Sequence, residues 1–386
     1  MQASTIGTPT IGHSGTIFVA IELSQRSWLV TIHSPDRDRI SRHKLAGGDH
    51  CGLLALIEKV RQRAAHKLGT RPAVVSCYEA GYDGFWLHRL LTAAGITNHV
   101  FDPASIAVEQ RGRRAKSDRI DGEQLLRTVM AHCRGEPRVV RIVQVPSPEQ
   151  EDTRRATRER GRLVQEQTAH INRIKSLLRL LGMAVGHPRR RDWLGWLAAQ
   201  RDWQGQPVPA RTMAELEREH ARLMLIGEQL AALEQQSAQA KPTPAAAEMA
   251  RRQDLLLRLK ALGPALSGTL TNEVFYKDFR NRRQVGAYLG LAPSPWQSGK
   301  TDREQGISKA GNPRARQAAV EFAWLWLRHQ PGSALAQWFA QRTAQASKRV
   351  RRIAIVALAR KLVVALWRYL TTGLVPEGAV LKPAKA

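Results

Sequence analysis

The order of short apolar runs in the first 145 residues restricts this chain more than any other feature. Residues 16–24 (TIFVAIELS), 27–34 (SWLVTIHS) and 38–45 (DRISRHKL) are rich in Val, Ile or Trp and bounded by turn residues, which predicts three strands in a meander. Leu53, Leu54, Ile57 and Val60 recur at helical spacing and predict a helix over 51–67. A buried strand over 73–79 (AVVSCYE), a helix over 83–94, a strand over 98–102 (NHVFD) and a helix from about Ser117 to His132 follow. Such a β-β-β-α-β-α-β-α order calls for a mixed sheet with the antiparallel meander at one side.

That order is the one of a ribonuclease H-like α/β fold. After it the period changes. Leu163, Gln167, His170, Ile174, Leu177 and Leu181 step by alternating four and three residues, a heptad seam that predicts one long helix over 149–181. Gly, Pro and three tryptophans (Trp193, Trp196, Trp203) interrupt residues 182–213, and a second long helix resumes near Met213. Two such helices read as an antiparallel coiled-coil arm or an oligomerisation element, and KPTPAAAE from Lys241 reads as a linker. Residues 254–274 predict helix, Leu-Gly-Pro turn, helix, which is either a helix-hairpin-helix offering backbone N–H groups to a phosphate or a plain structural hairpin. Helices over 313–328 and 333–370, the latter breakable near Ala346, complete a mainly helical third part. The expected division is 1–148, an α/β domain; 149–244, a coiled-coil arm and linker; and 245–386, a helical domain.

Charge indicates the partner. The 386 residues carry 60 Lys and Arg against 33 Asp and Glu, a formal net charge of +27. That surplus opposes compaction, so a polyanion is the natural partner. The surplus is +7 over 1–145, +4 over 146–244 and +16 over 245–386, which directs the search for a nucleic-acid surface to the last third. The first twenty residues have no basic residue, which argues against a signal peptide, and Arg360 and Lys361 interrupt the most apolar stretch, so no membrane span is expected. Cys51, Cys77 and Cys133 lie too far apart for a zinc site and read as buried, reduced thiols of a cytoplasmic, nucleoid-associated protein.

Four acids fall where the sheet would gather them. Glu22 ends the first strand, Glu79 ends the strand after the first helix, and Asp118 and Asp121 share one helix face. Four clustered carboxylates need cations to neutralise them, and hard oxygen ligands suit a pair of Mg²⁺ or Mn²⁺ ions. Two metals can bind a scissile phosphate and stabilise the attacking and leaving oxygens. Singly, each acid has an ordinary explanation: Glu22 as an edge residue, Asp118 as a helix cap, Asp121 as a dipole partner. The basic loop Arg111, Arg113, Arg114 and Lys116 beside them would draw a DNA backbone in, or be solvated surface. Residues 288–316 (YLGLAPSPWQSGKTDREQGISKAGNPRAR) are polar, glycine-rich and basic between apolar helices, as in a functional loop. Ser298 precedes Gly299 and Lys300, and Ser308 and Lys309 precede Gly311 and Asn312; by local chemistry alone these serines are turn residues. Trp324, Trp326 and Trp367 read as core rather than as base-stacking platforms.

Together, Glu22, CYEAGYDGFWLHRLL around Glu79, KSDRIDGEQLL with Asp118 and Asp121, and GLAPSPWQSGK…GISKAGNPRARQAAVE resemble the DEDD-type insertion-sequence transposases of the IS110 family, over about residues 16–370. The resemblance implies a RuvC-like N-terminal domain, a coiled-coil bridge and a C-terminal domain with a catalytic serine. It implies Glu79, Asp118 and Asp121 as metal ligands, with Glu22 standing where the family usually has Asp. Ser298 would attack a DNA phosphodiester and form a phosphoserine link. Lys300, Lys309, Arg314, Arg316, Arg349, Arg351 and Arg352 are the expected nucleic-acid contacts of the C-terminal part. Family members act on element ends and target DNA as oligomers, and some are guided by a structured RNA. The other readings are a hydrolytic RuvC-like nuclease or resolvase, in which water attacks, and a non-catalytic nucleic-acid-binding remnant.

Overall fold

The computed structural model describes residues 15–82, 84–106, 118–239, 247–298 and 301–383; at 118, 119, 238, 296, 298 and 301–304 it describes the backbone only. Residues 1–145 and 146–386 form two compact units.

The first unit runs β1 (Thr16–Glu22), β2 (Ser27–His33), β3 (Ser41–Ala46), α1 (His50–Leu68), β4 (Ala73–Glu79), α2 (Trp86–Ala93), β5 (Thr97–Phe101) and α3 (Asp118–Cys133). The sheet order is β3-β2-β1-β4-β5, with the meander antiparallel and β1, β4 and β5 parallel, the mixed sheet expected from the sequence. Alternation along each strand divides the side chains between two cores. Ile17, Val19 and Ile21 pack with Val30, Ile57 of α1 and Leu87 of α2. Phe18, Ala20, Val75 and Cys77 pack with Leu125, Leu126 and Val129 of α3. β3 begins at Ser41 rather than 38 because residues 34–37 turn around Asp36, which accepts from Ser34 Oγ and from Arg63 Nε of α1 at 2.9 Å. The Arg63 hydrogen bond outweighs burial and holds the Asp36 carboxyl down to about 2.

The second unit opens with α4 (Pro148–Leu180), started by a Ser147–Gln150 capping box, then α5 (Trp193–Ala198) and α6 (Ala210–Gln239). α4 and α6 pack antiparallel: Arg160 meets Glu234 (3.0 Å), His170 meets Glu219 (2.6 Å) and Arg173 meets Glu215 (2.6 Å). Leu163 is buried, and Ile174 and Leu177 of the seam pack with Leu216 and Leu223. Between these helices Trp193 stacks on His220 and donates to Val185 O at 2.8 Å, whereas Trp203 is 82% exposed. The linker read at Lys241 lies largely outside the described residues.

The helical body comprises α7 (Ala247–Leu257), α8 (Pro264–Glu273), α9 (Arg282–Tyr288), β6 (Pro293–Ser298), β7 (Thr301–Ile307), α10 (Pro313–His329), α11 (Ala334–Thr343) and α12 (Lys348–Thr372). The turn expected at Leu-Gly-Pro separates α7 from α8, and Ser347 caps α12 where the last helix was expected to break. Phe322, Trp326, Leu358, Leu362 and Leu366 centre the core, against which Trp367 packs. Trp324 departs from the core expectation: it is 49% exposed, on the outer face of α10. Of the thiols, Cys77 is buried, Cys133 is half-buried and Cys51 is exposed, so only one fits the buried expectation fully.

The stretch read as a loop contains a two-stranded antiparallel ribbon, β6–β7, with Ser298 opposite Thr301. Prolines at 293 and 295 obscure it in the sequence, since proline suits only a strand edge or bulge; the register does shift between them. Its base is zipped by backbone bonds: Ser308 N to Ala292 O (2.8 Å), Lys309 N to Gly290 O (3.1 Å) and Asn312 N to Tyr288 O (3.1 Å). The approach requires glycine. A Cβ on Gly290 would lie 2.0 Å from Ala310 O, and one on Gly311 2.2 Å from Tyr288 O.

Two outcomes follow. Gly306 and Gly311 both have positive φ, +85° and +96°, but only Gly311 is crowded. Gly311→Ala should therefore lower the melting temperature clearly more than Gly306→Ala, with a difference above about 1 kcal/mol; equal effects would refute the close-approach account. His99 on β5 is held down to about 4 by burial, with His132, 5.2 Å away, and His88 adding to it. The unfolded chain takes up that proton near pH 6.5, so its stabilisation is present above pH 6.5 and lost as pH falls towards 4. His99→Gln should flatten the pH dependence of unfolding in that window; an unchanged slope would contradict it.

Candidate functional site

In the first unit the acids follow from the pleat. Glu22 continues the alternation Phe18, Ala20, and Glu79 continues Val75, Cys77, so both lie on the side that α3 covers. They stand one residue beyond the Ile21–Tyr78 pair of the parallel β1–β4 ladder, at the carboxyl ends of adjacent strands. Glu22 is half-buried and Glu79 exposed. α3 is seated on β1, β2 and β4. Gly122 allows its first turns to approach closely, since a Cβ there would lie 2.6 Å from Thr31 Oγ1 and 3.5 Å from Leu29, the residue paired with Glu22. Asp121, half-buried, precedes that contact, and Asp118 is the first residue of α3. Below them Cys77 Sγ reaches Leu125 O at 3.7 Å; burial pushes this thiol well above its ordinary range, with Cys133 and Glu79 adding to the effect.

The donor chemistry, carboxylates at two adjacent strand ends and near the start of α3, is of the kind a hard divalent cation takes. Among the described residues no three His, Cys, Asp or Glu side chains by themselves form a metal-holding group; the Asp118 side chain lies outside that description. The loop residues Arg111, Arg113, Arg114 and Lys116 also lie outside the described residues.

In the second unit Ser298 ends β6, described in its backbone only, and Lys300 lies outside the described residues. Ser308 and Lys309 are exposed, with Lys309 in the left-handed region at φ +55°. Arg316 is turned inward: one Nη donates to Leu289 O and to Lys309 O, both at 3.0 Å, which braces the ribbon base. Exposed Arg314 extends towards Gly161 of α4. Asn312 caps α10 by accepting from Arg314 N and Ala315 N at 3.0 and 3.2 Å. Its Nδ2 donates to Glu273 Oε2 at 2.8 Å.

A groove of about 1830 Å³ runs along α12. Lys309, Arg349 and Arg352 line it, joined by Arg282, Arg283, Arg360, Lys361 and Arg368, with Glu377 as the one acid among the described lining residues and Ile353, Val356 and Val375 among its apolar ones. Arg351 is exposed but does not line it. Sequence reasoning missed the five further cations, although Arg349, Arg352, Arg360 and Arg368 fall on one stripe of α12 at multiples of three or four. It also missed Glu273, which carries no local motif. No helix among the described residues is long and apolar enough to cross a membrane.

Two family models match the chain: one described as "Transposase IS116/IS110/IS902 family" over residues 253–338, and a DEDD-type IS110 model described as "Transposase" over residues 19–183. Glu22, Glu79, Asp118 and Asp121 fall within the second match, and Ser298 and Asn312 within the first. The chain is 47% identical over 376 residues, 95% of both chains, to a Sinorhizobium fredii protein named "Putative transposase y4rJ". It is 26% identical over 335 residues, 85% of this chain and 86% of the other, to the Coxiella burnetii "Transposase for insertion sequence element IS1111A". With both halves matched and near-complete coverage at that identity, the chain belongs to the IS110 family of insertion-sequence transposases.

Proposed function

We propose that this transposase recombines DNA by serine attack on a phosphodiester, with Glu22, Glu79, Asp118 and Asp121 holding Mg²⁺ or Mn²⁺. The strand order supports a ribonuclease H-like, RuvC-like reading of the first unit. The observation that carries the proposal is the ribbon: Ser298 ends a strand whose base is zipped and braced, a rigid support of the kind a nucleophile needs. In the proposed step the Ser298 Oγ–P bond forms and the P–O bond to the departing strand end breaks, that oxygen leaving as a hydroxyl. Attack by another strand's hydroxyl reverses the step, rejoins DNA and frees the serine. A bound divalent cation would supply charge stabilisation at the phosphate oxygens. Lys309 at the ribbon base and Lys300, two residues after Ser298 in sequence, orient the phosphate, and Arg111, Arg113, Arg114 and Lys116 draw DNA to the acids. The groove along α12 takes a phosphodiester backbone; a structured guide RNA would meet the same chemistry as DNA. The antiparallel α4–α6 pair serves as a coiled-coil arm for association between copies.

With element-end DNA and Mg²⁺, the wild-type chain should give a protein–DNA adduct on a denaturing gel that Ser298→Ala abolishes. Free cleaved ends persisting in Ser298→Ala would instead establish hydrolysis. Glu22→Gln and Glu79→Gln should each reduce cleavage by more than about tenfold, the scale on which even outer-shell changes at metal sites act; full activity would remove that residue from the metal site.

Replacing Arg349, Arg352 and Arg360 together by Ala should weaken duplex binding and flatten the dependence of log affinity on log salt by about 0.9 per lost phosphate contact. Arg351→Ala should change the slope less. Unaltered slopes in the triple variant would reject the groove as the backbone site.

A further inference from the structure

Glu273 has no role in the proposed chemistry, yet its surroundings are costly. It is the last residue of α8, 2% exposed, where the helix dipole disfavours an acid. Arg158 of α4 donates to it twice, Nε to Oε1 at 2.7 Å and Nη2 to Oε2 at 3.1 Å. One turn earlier on α4, Arg154 is 7% exposed and lies 3.8 Å from the Tyr276 ring centroid. Its Nε and one Nη are buried with no hydrogen-bond partner among the described residues. Tyr276 and Tyr288 hydroxyls are 3.3 Å apart beside the same cluster. Burial pushes the Glu273 carboxyl up, but Arg158, Asn312 and Arg154 outweigh it and leave it lowered.

The remaining bond of that carboxylate is to Asn312, the residue that closes the ribbon base and starts α10. We infer that Glu273 is a positioning residue: held by Arg158, it fixes Asn312, and through Asn312 the attitude of the ribbon that bears Ser298. The inference rests on the serine reading for its catalytic consequence, but not for its structural one. It also joins the ribbon to the first turns of α4, the helix that continues into the α6 contact.

The test uses the full-length chain. Asn312→Asp retains an oxygen to cap α10 but sets a second carboxylate against Glu273, among Arg154, Arg158, Tyr276 and Tyr288. At pH 8, amide protection over 288–292 and 308–312 and cleavage of an element-end duplex should each fall at least tenfold, with duplex affinity within twofold. Relative to wild type, both should recover towards pH 5.5, where the two carboxylates can share a proton. Adding Glu273→Gln should restore both at pH 8, because the donor and acceptor are then exchanged. Wild-type protection and cleavage in Asn312→Asp would overturn the inference, as would losses that neither acid nor Glu273→Gln restores. If the wild-type chain forms no DNA adduct while protection follows the exchange, the serine reading fails and the positioning of the ribbon stands.

Discussion

A carboxylate buried at the end of a helix is expensive to hold, because burial and the helix dipole both disfavour its charge unless cations and donors answer it. Around Glu273 the helical unit has accepted that condition. α8 supplies the carboxylate, α4 the guanidinium and the start of α10 the amide, so three elements distant in sequence share one set of hydrogen bonds. The cluster fixes geometry where a hydrophobic core alone would tolerate sliding, because apolar contacts are non-directional and hydrogen bonds are not.

The N-terminal unit solves a different problem with the same economy. β1 and β4 are apolar on both sides, packing on helices on both sides, which leaves their ends as the sites where a carboxylate can stand. Glu22 and Glu79 occupy those ends on adjacent parallel strands. Parallel pairing is what aligns them, because both chains leave the sheet in the same direction. The glycine at 122 then lets the start of α3 approach Thr31 and Leu29 on the neighbouring strand β2.

The α/β half was legible because its signals are local. β-branched runs gave β1, β2 and β4 to within a residue or two, and the seam from Leu163 to Leu181 gave α4. β3 was misjudged at its start because Asp36 is claimed by Arg63, a partner 27 positions away. The β6–β7 ribbon was hidden because PSPWQS has neither β-branched residues nor alternation; its stability comes from backbone bonds and from glycines that permit close approach. Among the proposed site residues, the strand-end positions of Glu22 and Glu79 were legible from the strand order. The work of Arg316 was not, since a cation beside Lys309 suggests a phosphate contact and nothing local shows that it is turned towards two carbonyls. Glu273 was unreadable for the same reason: its meaning lies entirely in Arg158 and Asn312.

α4 is a single helix of 33 residues, rooted at one end by Arg154 and Arg158. At 1.5 Å per residue it extends roughly 50 Å, so it behaves as a beam clamped near one end. From Arg158 to Leu180 the free length is about 33 Å, so a tilt of about 5° about that root would move the far end by about 3 Å, and the same load would reach the root as a torque on two guanidinium groups. Gly161 lies within a turn of that clamp, where the beam is thinnest. Whatever grips the distal part of α4 therefore acts on the root with a mechanical advantage set simply by helix length.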